Sequence, residues 1–140
     1  METPIAADAP PIAADMEVKD LDTLTHRIIG AAFRVSSVLG TGFLEKVYEN
    51  SLSHELRIRG LSVEQQHPVL VRYDGEVVGN YIADILVQGN VVVEIKAVAR
   101  LERAHLSQCS NYLRATGLRI CLLLNFGRPA LELKRVVLNY

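Results

Sequence analysis

From Leu21 onward the chain switches between two hydrophobic periods. Leu21, Leu24, Ile28, Ala32, Val35 and Leu39 recur at steps of three and four, the spacing of one helical face. Asp20 or Asp22 can cap the start and Gly40 the stop, which predicts a helix over 21–39. Gly40-Thr41-Gly42 breaks the chain, and a second helix is predicted over 43–59, closed by Gly60. The connecting loop is short, so the two helices should be neighbours. In the second, Leu44, Val47, Tyr48, Leu52 and Leu56 set the apolar arc. Glu45 sits at its margin, where an acid in the first turn suits the helix dipole, and Glu49 lies just outside it. Glu55 falls on the arc and is expected to be buried and hydrogen-bonded.

Between Leu61 and Ala97 the period becomes two and β-branched residues dominate. Asp74-Gly75 and Gly89-Asn90 interrupt the run as hairpin turns do, which predicts antiparallel strands over about 62–73, 76–87 and 90–97. Helical spacing returns over 101–115 and stops at Thr116-Gly117. The apolar run 118–126 reads as a strand covered on both faces, and 131–138 adds a last strand. The order α-α-β-β-β-α-β-β implies an α+β or α/β fold, a sheet with helices on both faces.

Composition narrows the class. The 140 residues suffice for one domain, and no uncharged apolar run is long enough to cross a bilayer. Residues 1–19, rich in proline and alanine with acidic early charges, are expected to form a disordered tail rather than a signal peptide, leaving 20–140 as a single domain. Net charge is −1, so no field from the whole molecule draws in a polyanion, and any nucleic-acid contact must come from a local patch. Cys109 and Cys121 are too few for a disulfide scaffold and fit a reducing, cytoplasmic setting.

Three charges stand out because their strands are otherwise apolar. Asp84 interrupts Tyr81-Ile-Ala-Asp-Ile-Leu-Val87, and Glu94 and Lys96 interrupt Val91-Val-Val-Glu-Ile-Lys96. Alternation puts Glu94 and Lys96 on one face, roughly 7 Å apart, and the Gly89-Asn90 turn folds their strand beside the one carrying Asp84. Two carboxylates about 4 Å apart repel by roughly 4 kcal/mol at an effective dielectric of 20. A divalent cation or the Lys96 ammonium would remove that cost. The bland alternative is a cross-strand salt bridge on a solvated sheet edge. In the helix over 101–115, His105 and Gln108 fall in the middle of the apolar arc, so both should point inward. A buried amide must be satisfied, by backbone or by a polar pocket. His105 and Cys109 could form half a zinc site, but no second pair exists, so a core histidine is the better reading.

Taken together, Asp84, Glu94-x-Lys96 and Gln108-x-x-x-Tyr112, in this order and on these elements, resemble the PD-(D/E)XK nuclease superfamily. Gly42-Phe-Leu-Glu45-Lys-Val-Tyr48 resembles the signature of the bacterial GxxExxY protein family. The resemblance covers about 21–138; it departs at Ala83, where the superfamily name has proline. It implies a restriction-endonuclease-like core, a mixed central sheet flanked by helices. It also implies metal-dependent hydrolysis of phosphodiester bonds in nucleic acid, with DNA expected ahead of RNA. Asp84 and Glu94 match the acids that hold Mg²⁺ or Mn²⁺, and Glu45 the helix acid that completes the metal shell. Lys96 matches the residue that positions or deprotonates the attacking water and offsets transition-state charge. Gln108 matches the polar helix residue that orients water or phosphate. Tyr48, Tyr112 and His105 would be supporting residues.

Arg100 and Arg103 follow the Glu-x-Lys strand and are candidate phosphate contacts, with Arg114, Lys134 and Arg135 further on. No aromatic platform interleaved with basic residues is visible, so sequence-specific reading of single strands is not expected. A domain this small is expected to pair as a homodimer or larger homo-oligomer to grip two strands. The main competing expectation is a non-catalytic nuclease-fold module for binding or self-assembly, its acids and lysine locked in an internal salt-bridge network.

Overall fold

The computed structural model describes residues 16–139. Most of the predicted tail lies outside the described residues. The first helix, α1 (Val18–Leu39), takes in Val18 and Lys19 and begins three residues before the expected Leu21. Glu17 occupies its N-cap in extended conformation, without a side-chain cap. Neither expected aspartate caps it; Asp22 instead reaches the Arg135 guanidinium at 2.5 Å. There follow α2 (Glu45–Ile58), β1 (Val63–Tyr73), β2 (Glu76–Val87), β3 (Val91–Lys96), α3 (Arg103–Thr116), β4 (Ile120–Asn125) and β5 (Glu132–Val137). Each element matches a predicted one, and the fold is α+β as expected.

The sheet runs β1-β2-β3-β4-β5 and is antiparallel except for the β3–β4 pair, whose strands run parallel and are joined through α3. β3 is thus the middle strand, not an edge. Helices cover both faces. α1 and α2 pack Ile28, Tyr48 and Leu52 against Ile85, Val93, Ile95 and Leu122. On the other face α3 packs Cys109 and Leu113 against Leu86, Val92, Cys121 and Leu123. All six residues of β4 are buried, which is why its sequence shows no alternation.

The pairing of β2 stops short on one side. β2 pairs with β1 over almost its whole length but with β3 only through Ile85–Val87. The next rung would set Asp84 opposite Glu94. On the β1 side, the residue opposite Asp84 is Gln66, whose φ of +56° is left-handed and uncommon for a side chain other than glycine. The strand faces change at the same point: Ile85 packs toward α1 and α2, whereas Ala83, two residues earlier, packs toward α3. The β1–β2 hairpin therefore bends away from the sheet at Asp84.

Candidate active site

Where the ladder stops, side chains continue it. The Asp84 backbone N–H donates to Glu94 Oε2 and the Ile95 N–H to Asp84 Oδ2, each at 2.8 Å. Among the described residues no hydrogen bond engages the other oxygen of either carboxylate. Glu94 is buried and Asp84 half-buried. Burial is the main reason both carboxyls titrate high. It raises Asp84 despite the Ile95 N–H, with Glu49 and Glu45 adding to the effect. It raises Glu94 to about 9, with Asp84 as the next contributor.

Lys96, half-buried, follows Glu94 on the same α3-facing side of β3. Its charge favours ionisation of both acids, though less than burial opposes it. Among the described residues no ion pair within 4.0 Å joins Lys96 to either acid. Neither the cross-strand salt bridge on a solvated edge nor the locked salt-bridge network is therefore present there.

The sequence around Glu45 explains its placement. Gly40 and Gly42 take φ of +70° and +109°, conformations that favour glycine. The Tyr48 hydroxyl donates to the Gly40 carbonyl at 2.6 Å and accepts from the Phe43 N–H at 3.2 Å, tying the loop to the helix it precedes. The Tyr48 ring is fully buried and stacks on Phe126 with centroids 4.9 Å apart. With the loop so pinned, α2 starts at Glu45, whose Oε2 accepts from the Ala97 N–H at 3.3 Å, next to Lys96. Tyr48 thus fixes the loop that precedes Glu45. Glu45 itself is exposed, and among the described residues no three His, Cys, Asp or Glu side chains gather closely enough to cage an ion.

Gln108 donates to the Tyr112 hydroxyl at 3.0 Å, and that hydroxyl donates to the Ile82 carbonyl at 3.1 Å, two residues from Asp84. The inward amide is therefore satisfied by a side chain. His105 is not a core histidine: half-buried, it accepts the Glu102 N–H at 2.9 Å and completes the capping box of α3. Glu55 is half-buried, not buried, and pairs with Arg59 at 2.8 Å. Arg100 and Arg103 are exposed, in the segment after β3 and at the first residue of α3. Arg135 is engaged with Asp22.

Two buried polar residues belong to the site's framework and were not singled out from sequence. Glu49, 3% exposed, accepts from Lys46 at 3.1 Å, Gln65 at 2.8 Å and Gln66 at 3.0 Å. It holds the left-handed Gln66 opposite Asp84. The arc of α2 is rotated from the expected one: Leu44, at the N-cap and outside the helical period, is 79% exposed, and Glu49 turns inward. A signal existed, since Glu49 lies one turn after Glu45. The second residue is Asn125, fully buried. Its Oδ1 accepts from the Val98 and Gly127 N–H groups at 2.9 and 3.0 Å, and its Nδ2 donates to the Val98 carbonyl and Glu132, both at 3.0 Å. It straps down the segment leaving Lys96. An asparagine in an all-apolar strand was the available signal.

The chain belongs to the PD-(D/E)XK nuclease superfamily, whose family model matches residues 22–136. Among solved structures it is similar to an alkaline exonuclease from Laribacter hongkongensis, at 13% identity and a TM-score of 0.46, over 76% of this chain and 75% of that one. No functionally curated protein matches in sequence. No helix among the described residues is long and apolar enough to cross a membrane.

Proposed function

We propose that this chain is a metal-dependent nuclease that hydrolyses phosphodiester bonds in nucleic acid, DNA ahead of RNA. The observation that carries the reading is the pair formed by Asp84 and Glu94. Each spends one oxygen on a backbone N–H and keeps the other uncommitted, in a place where burial disfavours two bare charges. A hard divalent cation suits that donor set, and members of this superfamily generally use divalent metal ions. Asp84 and Glu94 would hold Mg²⁺ or Mn²⁺, and Glu45 would complete the shell directly or through water. When bound, such an ion polarises the phosphoryl oxygen and acidifies a water.

The chain's own residues do the rest. Lys96, not tied up in an ion pair with either acid, either deprotonates the attacking water as the neutral amine or, as the ammonium, positions that water and offsets negative charge on the phosphoryl oxygens as the phosphorus approaches five-coordination. Gln108, aligned by Tyr112, orients the scissile phosphate or the water. Arg100 and Arg103 contact flanking phosphates. Residues 20–140 would act as one domain, and Gly42-x-x-Glu45-x-x-Tyr48 supports a place for the chain in the GxxExxY family. The free, buried Cys109 and Cys121 suit a reducing cytoplasm.

The test is incubation with linear, circular and single-stranded DNA and with RNA, in Mg²⁺ or Mn²⁺ and in EDTA, beside Lys96→Ala. Metal-dependent cleavage lost in the variant is the expected result. If wild type and variant leave every substrate equally intact, the nuclease reading fails and the binding module takes its place.

A further inference from the structure

The bend of the β1–β2 hairpin opens a cleft of about 530 Å³ between that hairpin and α3. Its inner end is formed by Gln108 and Tyr112, the residues that adjoin the carboxylates through the Ile82 carbonyl. Its outer wall is Tyr81, 50% exposed, edge-on to Tyr112 with centroids 6.3 Å apart. Asn111 and Val71 also line it, and no Asp, Glu, Lys or Arg does. A second hollow shares Val71, Tyr81 and Asn111 with the first and continues to the exposed Arg114.

This charge pattern selects a ligand. The lining holds no fixed cation to offset the charge of a phosphate, only the neutral donors of Ser107, Gln108 and Asn111 and the His105 ring, whereas a planar ring with hydrogen-bonding edges can pack on Tyr81 and meet the amides of Gln108 and Asn111. The cation comes only at the far end. Along a nucleic-acid strand, base and phosphate alternate in the same way. An intact duplex keeps its bases stacked and paired inside, and so has no ring to offer. Sequence alone could not show this platform, because Tyr81, Tyr112 and Arg114 meet only in the folded chain.

Resting on the nuclease reading, we propose that the cleft seats an unpaired base of the nucleotide beside the bond that is cut, with the neighbouring phosphate on Arg114. The substrate is then a single-stranded stretch or a frayed end. Base stacking on an aromatic side chain is commonly worth about tenfold in affinity or more.

Fluorescence anisotropy of the full chain in EDTA, with a labelled single-stranded DNA, its RNA counterpart and the blunt duplex, tests the cleft without turnover. The expected result is single-strand binding at least about tenfold tighter than duplex binding, weakened about tenfold in Tyr81→Ala and retained in Tyr81→Phe. Tyr81 is half exposed, so melting temperatures should confirm that both variants fold. Equal affinity for single strand and duplex, or Tyr81→Ala binding like wild type, overturns the proposal. The two readings fail separately. Metal-dependent cleavage with no single-strand preference sinks the cleft alone. Tyr81-dependent single-strand binding with no cleavage of any substrate supports the cleft and sinks the nuclease reading.

Discussion

Asp84 and Glu94 splice their two strands together: each carboxylate accepts, at 2.8 Å, an N–H from the strand that carries the other. The backbone ladder between β2 and β3 ends one rung earlier, at Ile85 and Val93. Carboxylates in place of a backbone rung serve fold and chemistry at once. They satisfy two strand donors, and each leaves its second oxygen without a hydrogen bond where the hairpin bends away from the sheet.

If the two acids hold the proposed ion, that arrangement couples metal binding to proton release. Burial, then the Asp84 charge, lifts the folded-state pKa of Glu94 from the 4.5 of an unperturbed carboxyl to about 9. A raised folded pKa contributes stability that is complete below the unfolded value and is lost as pH climbs through the folded one. Without metal, the melting temperature should therefore fall between about pH 5 and about pH 9. Glu94→Gln keeps an oxygen for the Asp84 N–H and should flatten that slope. An ion at a hundred times its dissociation constant adds about 2.7 kcal/mol to the folded state, and this increment should grow with pH in wild type and vanish in Glu94→Gln. Thermal melts across pH, with and without Mn²⁺, check both.

Lys96→Ala separates binding from chemistry. The ammonium makes no ion pair with the acids, so its removal leaves no partner stranded and should barely change stability. Metal-dependent stabilisation should persist, while cleavage falls by about 10²–10³, the usual loss for one group aimed at developing charge. Parallel melts and single-turnover cleavage measure the split. Equal loss of both would make Lys96 a structural residue.

Tyr48→Phe keeps the ring stacked on Phe126 and removes only the hydroxyl that ties Gly40 and Phe43 to α2. Urea unfolding should show a loss of about 1 kcal/mol. Tyr48→Ala also empties a fully buried site and should cost about 3–5 kcal/mol.

Period and turn chemistry made the element order legible, because α1, α2 and α3 each bury one stripe and the hairpin turns carry Asp74-Gly75 and Gly89-Asn90. Asp84, Glu94 and Lys96 were legible for the opposite reason: each breaks an apolar run. What was hidden depends on contacts between distant segments. Period alone placed His105 in the core, but its ring turns back to cap its own helix. Glu49 fell just outside the apolar arc because nothing local announces that Gln65 and Gln66 will meet it. The β2–β3 ladder looked continuous to residue 97, since the left-handed turn at Gln66 lies on a different strand from the rung it interrupts. Tyr81 and Tyr112 are 31 positions apart, so no local window pairs them.

Glu49 yields the sharpest test of how far the site extends into the fold. Glu49→Ala leaves the Gln65 and Gln66 amides without their carboxylate and frees the left-handed Gln66, so it should lose about 1–3 kcal/mol. Glu49→Gln retains an acceptor oxygen and should lose less, which makes it the better probe of charge. Burial is the largest influence raising the Asp84 pKa, but the Glu49 charge adds to it. Removing that charge lets Asp84 ionise at lower pH, so the Asp84 carboxyl, followed by carbon NMR in the absence of metal, should titrate at lower pH in Glu49→Gln than in wild type. Merely loosening Gln66 would instead lower the melting temperature and leave the Asp84 midpoint where it was. An unmoved or upward midpoint would remove Glu49 from the electrostatics of the site.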